Sequence, residues 1–493
     1  MPPSTRDFYT VLGILREASA EDVRRAYLQA AHRLHPDHNV AAGDTELFLE
    51  VQQAYETLSN PERRRAYDAT LPASLAAHPL LRHSVTFSRP GLVETSEPQL
   101  IYILLEVGAR DQGEQISAPP LNVCLVLDRS SSMKGEKLDM AKAAGIHVMR
   151  SLRPQDISSI VAFSDKAEVL IRAGERMERA QQEARIQMLR TSGGTEILQG
   201  LQAAMSQVRR SLESQHVHHI ILLTDGHTYG DERAALELAE EAATLNIGIS
   251  CMGIGNEWND VFLDQLASRT GGSSAYISKA RDIQPLLLDK FSSLAKVFAN
   301  DVTLEYTPRP GVKIEDVFRL RPEGGPVAVR EPLLLGPILQ DSPLLVLFEF
   351  SIQPSAATAG TVTLLDGLLH VSISGRSEAV QPVRLRLERE VTAQATIESP
   401  PESILRALSH LSLYRMQERA HEEADSGDYE AASLRLKGLA TRLHSRGEHE
   451  LATTALLEAE HLAREHRWSQ SGRKDLKYNT RALLLTSGQE PQP

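Results

Sequence analysis

Cysteine is almost missing from this sequence: Cys124 and Cys251 are the only two in 493 residues. Both sit inside apolar stretches, NVCLVLD and IGISCMGIG, so neither a disulfide framework nor a cysteine-built zinc site can be drawn from them. That usage suits a reducing compartment, and a cytoplasmic location is expected. Long hydrophobic runs are missing as well. The most apolar stretch, EPLLLGPILQDSPLLVLFEFSI, is broken by Pro, Gly and Asp, which excludes a membrane-spanning helix. The opening residues, MPPSTRDFYT, hold neither the basic nor the apolar segment of a secretion signal. Positive charge is not in excess either. Lys and Arg number 53 against 65 Asp and Glu, a net charge of -12 with an isoelectric point near 5.8. The chain as a whole therefore carries no nucleic-acid footprint, and neither a nucleic acid nor a membrane is expected as a partner.

What the sequence does contain centres on LNVCLVLDRSSSM, residues 121–133. A continuous apolar run reads as a strand buried on both faces, the kind found in parallel sheets covered by helices. Just past its end come Asp128, Ser130 and Ser132, whose oxygens at alternate positions can converge on a hard cation. SGGTEI puts Thr195 on a Gly-rich turn opening a helix, and HHIILLTDG puts Asp225 at the end of a second buried strand. The carboxyl ends of strands in an open parallel sheet form one edge, where ligands bind, so three loops distant in sequence can meet there. Any one of these elements alone would fit a turn cap or a helix N-cap. Three in this order favour a metal site.

Together they resemble the metal-ion-dependent adhesion site of a von Willebrand factor type A domain. Asp128, Ser130 and Ser132 fit its Asp-x-Ser-x-Ser element, with Ser131 where many members have Gly, while Thr195 fits the second element and Asp225 the third. The resemblance implies that Ser130, Ser132 and Thr195 bind Mg2+, or alternatively Mn2+, directly or nearly so, with Asp128 and Asp225 holding it largely through water. Such a cation keeps part of its shell for waters, so an acidic residue of a partner protein can complete it.

Residues 6–70 read as a helical module. Ser19 is the expected N-cap of a helix whose Val23, Ala26, Tyr27, Ala30, Ala31 and Leu34 make one apolar face, with Arg24, Arg25, Gln29, His32 and Arg33 on the other. Pro36 stops it. Phe48, Val51, Tyr55 and Leu58 form a second apolar stripe, and Asn60-Pro61 signals a short basic helix. Between the two long helices stands His35-Pro36-Asp37. With DFYTVLGI before it and AYETLSNPERRRAYD after it, the module resembles the J domain of DnaJ-type co-chaperones. The resemblance implies that His35, Pro36 and Asp37 trigger the ATPase of a DnaK-type chaperone, and that Arg24, Arg25 and Arg33 provide its docking face. Leu28 and Gln29 stand where many J domains carry further basic residues, and the Gly/Phe-rich and zinc-binding segments of longer DnaJ proteins are absent.

The remaining chain sets the organisation. HSVTFS and QLIYILLEVGA read as strands without local partners, so strands within 83–118 are expected to join a sandwich formed by residues 298–392. Residues 119–297 alternate strands and helices as in a doubly wound sheet, the type A domain. Residues 298–392 give short strands, among them TVTLLDG and LHVSIS as separate ones. Residues 401–486 are helical, with three amphipathic helices recognisable before residue 467. GIGN at 253–256 is expected to be a strand-end turn rather than a nucleotide fingerprint. His216, His218 and His219 read as loop histidines rather than zinc ligands. The fold class is thus multidomain: an all-α J domain, an α/β doubly wound domain, an all-β sandwich and C-terminal helical hairpins. The expected function is a non-enzymatic co-chaperone that stimulates a DnaK-type chaperone and recruits a protein through the metal site. The alternative is a metal-dependent scaffold whose J domain only docks.

Overall fold

The computed structural model describes residues 8–12, 20–34, 44–70, 81–109, 118–213, 215–228, 230–357, 360–373, 380, 382–393, 399–469 and 471–486. The chain divides into two compact units, residues 1–82 with 110–113, and the remainder.

The first unit contains α1 (Phe8–Leu12), α2 (Ala20–Leu34), α3 (Asp44–Leu58) and α4 (Pro61–Thr70). The apolar stripes do what their spacing demands. Val23 and Ala30 of α2 share a core with Val51, Ala54 and Leu58 of α3 and with Tyr9 and Leu12 of α1. Tyr27 and Tyr55 stack with ring centroids 4.1 Å apart. Asn60 opens α4 because its side-chain oxygen accepts from the backbone N–H of Glu62 and Arg63, at 2.9 and 3.2 Å. Ser19 lies outside the described residues.

The second unit begins within β1 (Leu81–Phe87), at His83, and continues with β2 (Leu92–Val93) and β3 (Gln99–Ala109). The α/β domain follows: β4 (Leu121–Asp128), α5 (Glu136–Ser151), β5 (Ile157–Phe163), β6 (Ala167–Ile171), α6 (Arg179–Gln187), α7 (Ile197–Val208), β7 (Val217–Thr224), α8 (Glu232–Thr244), β8 (Ile247–Ile254), α9 (Asp260–Ser268), β9 (Ser274–Ile277) and α10 (Ile283–Ala295). Its sheet runs β6-β5-β4-β7-β8-β9, parallel throughout except for β6 at one edge. Every residue of β4 and β7 is buried, which is why both read as mostly apolar runs without alternation. Val123, Leu125 and Leu127 face α5 and α10, whereas Cys124 and Val126 face α7 and α8. Both cysteines are free and buried. Helix α6 left little trace in the apolar pattern because Ile186 alone of its residues is buried.

Seven strands complete the β-rich region: β10 (Val297–Tyr306), β11 (Val312–Arg321), β12 (Gly325–Val327), β13 (Leu333–Leu339), β14 (Leu344–Ile352), β15 (Gly360–Ile373) and β16 (Val383–Thr392). They form two five-stranded sheets, β1-β3-β14-β11-β12 and β13-β10-β15-β16-β2, and β13 touches β3 and β14 across them. Strand β3 pairs antiparallel with β14 from Gln99–Ile352 to Val107–Leu344, and β2 pairs parallel with β16. The two separate strands expected at TVTLLDG and LHVSIS are instead one strand, β15. Gly367 makes no turn there. A Cβ at this position would stand 2.3 Å from the Glu305 carbonyl oxygen, so the glycine serves close strand approach.

Helices α11 (Glu402–Asp425), α12 (Tyr429–His444), α13 (His449–Glu465) and α14 (Gly472–Thr486) close the chain. Helix α11 lays Ile404, Ala407, Leu411 and Tyr414 on Leu104, Phe318, Leu320 and Leu347 of the first β-sheet. Helix α14 was not recognisable by its apolar stripe because much of what it buries is charge. Lys477 Nζ lies 2.6 Å from Asp260 Oδ2 and 2.8 Å from Asp264 Oδ2. Arg481 reaches Asp264 at 2.9 Å and Arg473 reaches Asp260 at 2.7 Å. Burial alone would raise both carboxyls, but Arg481 and Lys477 hold Asp264 well below the usual range, and Lys477 and Arg473 lower Asp260.

Removing one member of such a cluster leaves buried charge uncompensated. Asp264→Ala should cost ~3–5 kcal/mol in urea unfolding, and adding Arg481→Met should cost less than the sum of the two single changes. Since both carboxyls titrate below their unfolded value of about 3.9, their stabilisation should be complete above that pH and fade as the pH falls through the lower folded values. Equal unfolding midpoints for native and Asp264→Ala chains at pH 7 would contradict this.

Candidate metal centre

Asp128 ends β4 and Asp225 follows β7, the neighbouring strand, so their fully buried carboxyls emerge side by side at the carboxyl edge of the sheet. Asp128 Oδ1 accepts from the Ser130 N–H at 2.7 Å, and its Oδ2 accepts from the Thr224 hydroxyl at 2.6 Å. Burial pushes Asp128 up to about 6, the Thr224 and Ser130 hydrogen bonds oppose that rise, and Asp225 adds to it. Ser130 and Ser132 hydroxyls stand 3.0 Å apart, and the Ser132 hydroxyl donates to Asp225 Oδ1 at 2.6 Å. Thr195 borders the same cluster: a Cβ on Gly226 would stand 2.7 Å from its Oγ1. The structure thus brings Asp128, Ser130, Ser132, Thr195 and Asp225 together at the meeting of three loops.

The loops are tied to one another through main chain. Ser131 donates to the Gly193 carbonyl from its N–H at 3.1 Å and its hydroxyl at 2.9 Å, while Ser192 N–H donates to the Arg129 carbonyl at 2.8 Å. Asp165, in the turn after β5, accepts from Gly194 N–H at 2.7 Å. Gly193 is in the left-handed region at φ +73°, and a Cβ there would stand 2.2 Å from Asp165 Oδ2. Thr228 and Asp231 accept from the first N–H groups of α7, Ile197 and Leu198, at 3.3 and 3.0 Å. They hold the helix that follows Thr195.

Four groups here escaped sequence reasoning: Thr224, Asp165, the Thr228–Asp231 pair and Lys137. The last is the most consequential. Lys137, the second residue of α5, places its Nζ 2.5 Å from Asp225 Oδ2. The five predicted residues present only hydroxyl and carboxylate oxygens, a donor set that fits a hard cation such as Mg2+ or Mn2+. Among the described residues no group of three or more His, Cys, Asp or Glu is set to hold a metal, so a cation at this cluster would rest on hydroxyls. Two of the three histidines lie buried inside β7 rather than in a loop, where His218 meets Asn122 and the Glu213 carbonyl and His219 meets Ser250, while His216 just before the strand stands 3.7 Å from the Glu213 carboxylate. At GIGN, Gly253 makes room for the Trp258 indole, to which a Cβ would come within 2.0 Å.

On the N-terminal unit, Arg24 and Arg25 are exposed along α2, and Leu28 beside them is 56% exposed. His35, Pro36 and Asp37 lie outside the described residues, as does the side chain of Arg33.

Comparison with known proteins bears on both units. Residues 7–68 match the family model of the DnaJ domain, residues 122–289 that of the von Willebrand factor type A domain, and residues 402–486 that of the Sll0103-like C-terminal alpha-helical domain. The uncharacterized protein sll0103 of Synechocystis is 28% identical over 357 residues, 70% of this chain and 82% of that protein. The chaperone protein DnaJ of Cyanothece is 49% identical over 63 residues, 13% of this chain and 17% of that protein. A solved von Willebrand factor type A protein from Catenulispora acidiphila superposes with a TM-score of 0.65 at 15% identity, covering 82% of this chain and 96% of that one. That last likeness is one of fold.

The loop contacts carry their own test. Gly193→Ala should lower unfolding stability by ~1–3 kcal/mol through overpacking and left-handed strain. Asp165→Ala in the same chain should return part of the loss, because it removes the clash and not the strain. A double variant no better than Gly193→Ala would place the whole cost in the backbone.

Proposed function

We propose that this chain, a DnaJ domain joined to a von Willebrand factor type A domain, is a non-enzymatic cytoplasmic co-chaperone that delivers a bound protein to a DnaK-type chaperone. The observation that carries the reading is the oxygen cluster at the sheet edge, present in one chain with a module 49% identical to a DnaJ chaperone over 63 residues. A divalent cation there would offer a coordination position to a partner's carboxylate. Ser130, Ser132 and Thr195 would hold it through their hydroxyls, with Asp128 and Asp225 behind, largely through water. Thr224 and the Ser130 N–H orient Asp128 for that work, and the Ser132 hydroxyl orients Asp225. Lys137 neutralises part of the carboxylate charge, so the site stays electropositive toward an acidic ligand once a cation is in place.

On the other unit, His35, Pro36 and Asp37 would trigger ATP hydrolysis, with Arg24, Arg25 and Arg33 steering the encounter with an acidic surface. The exposed Leu28 within that face favours a second reading, a scaffold whose J domain docks with little stimulation.

Single-turnover ATP hydrolysis by a DnaK-type chaperone separates the two. Stimulation by the native chain and its loss in His35→Gln are expected, and no stimulation by either would favour the scaffold. For the metal site, Mn2+ binding followed by electron paramagnetic resonance should weaken ~10–100-fold in Asp128→Ala. In Lys137→Met it should tighten about tenfold as a repelling charge is removed. Mn2+ binding unaltered by Asp128→Ala would sink the metal reading.

A further inference from the structure

The helical domain turns its chain back after α11 and again after α12, and the two turns share one design. In the first, Gly427 N–H donates to the Ala424 carbonyl at 3.0 Å and Asp428 N–H to the Glu423 carbonyl at 2.8 Å. In the second, Gly447 N–H donates to the His444 carbonyl at 3.0 Å and Glu448 N–H to the Leu443 carbonyl at 3.1 Å. Both glycines are in the left-handed region, at φ +87° and +84°, the conformation that commonly ends a helix. Arg446 Nη1 donates to the Ser409 carbonyl of α11 at 3.2 Å, which ties the second turn to its neighbour.

The side chains flanking the glycines differ. In the first turn the matching places hold Ala424, which is buried, and Tyr429, which stacks on His466 with ring centres 4.9 Å apart. In the second they hold His444, the last residue of α12, and His449, the first of α13, both exposed. Since the same hydrogen bonds close the first turn around Ala and Tyr, they do not call for imidazoles in the second. Yet the two Nδ1 atoms stand 3.0 Å apart, with ring centres 4.7 Å apart and ring planes inclined at 62°. Two imidazoles bound at right angles to one ion through ~2.1 Å bonds have their nitrogens ~3.0 Å and their ring centres ~4.6 Å apart. A head-on hydrogen bond between the same nitrogens would set the ring centres ~5.3 Å apart. The observed separations match the first arrangement.

We propose that His444 and His449 form a binding site for a divalent transition-metal ion, Cu2+ or Ni2+, held by both Nδ1 atoms at adjacent corners of its coordination shell, with water at the others. Imidazole suits these ions, and square-planar or octahedral shells supply the right angle that tetrahedral Zn2+ does not. Each neutral ring carries its proton on Nε2, which leaves Nδ1 free to bind. With one ligand from each helix, the ion clips α12 to α13. The nitrogen donors set this site apart from the oxygen cluster, which suits hard cations, and neither site depends on the other.

Titration of the full chain with Cu2+ at slightly alkaline pH, in excess Mg2+ so that the oxygen cluster is supplied with a hard cation, tests this by electron paramagnetic resonance. The first equivalent of Cu2+ should show nitrogen splitting from two imidazoles, and excess Ni2+ should compete for the same place. His444→Gln and His449→Gln, polar replacements at the surface, should each weaken that binding ~100-fold by removing the chelate, and the double variant should be little worse than either. Ni2+ should raise the unfolding midpoint of the native chain and of neither single variant. Asp128→Ala should leave the Cu2+ signal as it is. A first equivalent held by one imidazole or none, or held equally by the native chain and both histidine variants, would overturn the proposal. So would loss of the signal in Asp128→Ala, or no Cu2+ bound at all.

Discussion

A parallel sheet covered by helices on both faces has only its two ends for polar chemistry. Burying a polar group in mid-strand requires a partner there; Asn122, His218 and His219, near the amino ends of β4 and β7, have one, and from there on both strands are apolar up to the residues that end them. Everything reactive is therefore displaced to where the strands stop. The oxygen cluster gathers at the carboxyl ends, where Asp128 and Asp225 emerge from adjacent strands. A cavity opens at the amino ends, beside Val217 and Ile247. One strand, β7, reaches both.

The same constraint explains what could be read in advance. Two-sided burial writes itself into a sequence as a mostly apolar run without alternation, so β4 and β7 and the residues just beyond them were legible, and Asp128, Ser130, Ser132, Thr195 and Asp225 do meet in space. Lys137 and Thr224 were not legible, because each is an ordinary residue in its own element and gains its role only from a carboxylate 88 or 96 positions away in the chain. Helix α14 was hidden for a different reason: its contact surface is Arg473, Lys474, Lys477 and Arg481, which a periodicity of apolar residues cannot register. Gly367 misled by suggesting a turn where the geometry asks for close strand approach.

Charge on α14 also reaches the turn that follows β8. Lys474 donates to the carbonyls of Asn256 and Trp258 at 2.7 and 2.6 Å and stands 4.2 Å over the Trp258 ring. Trp258 in turn donates to the Gly255 carbonyl at 2.7 Å. The C-terminal helix is thus built against the turn after β8.

The pairing of β3 with β14 has a consequence for how the chain is made. Strand β1 pairs with one edge of β3 as soon as both are made, but the other edge, from Gln99 on, must wait for β14 and Ile352, and the whole α/β domain is synthesised in between. At ~5–20 residues per second of translation, that interval is roughly 10–50 s. Throughout it, an eleven-residue strand with Ile101, Ile103, Leu105 and Val107 on one face has β1 on one side and an open edge on the other. The nascent chain therefore carries an unpaired, aggregation-prone edge on the ribosome for most of its synthesis.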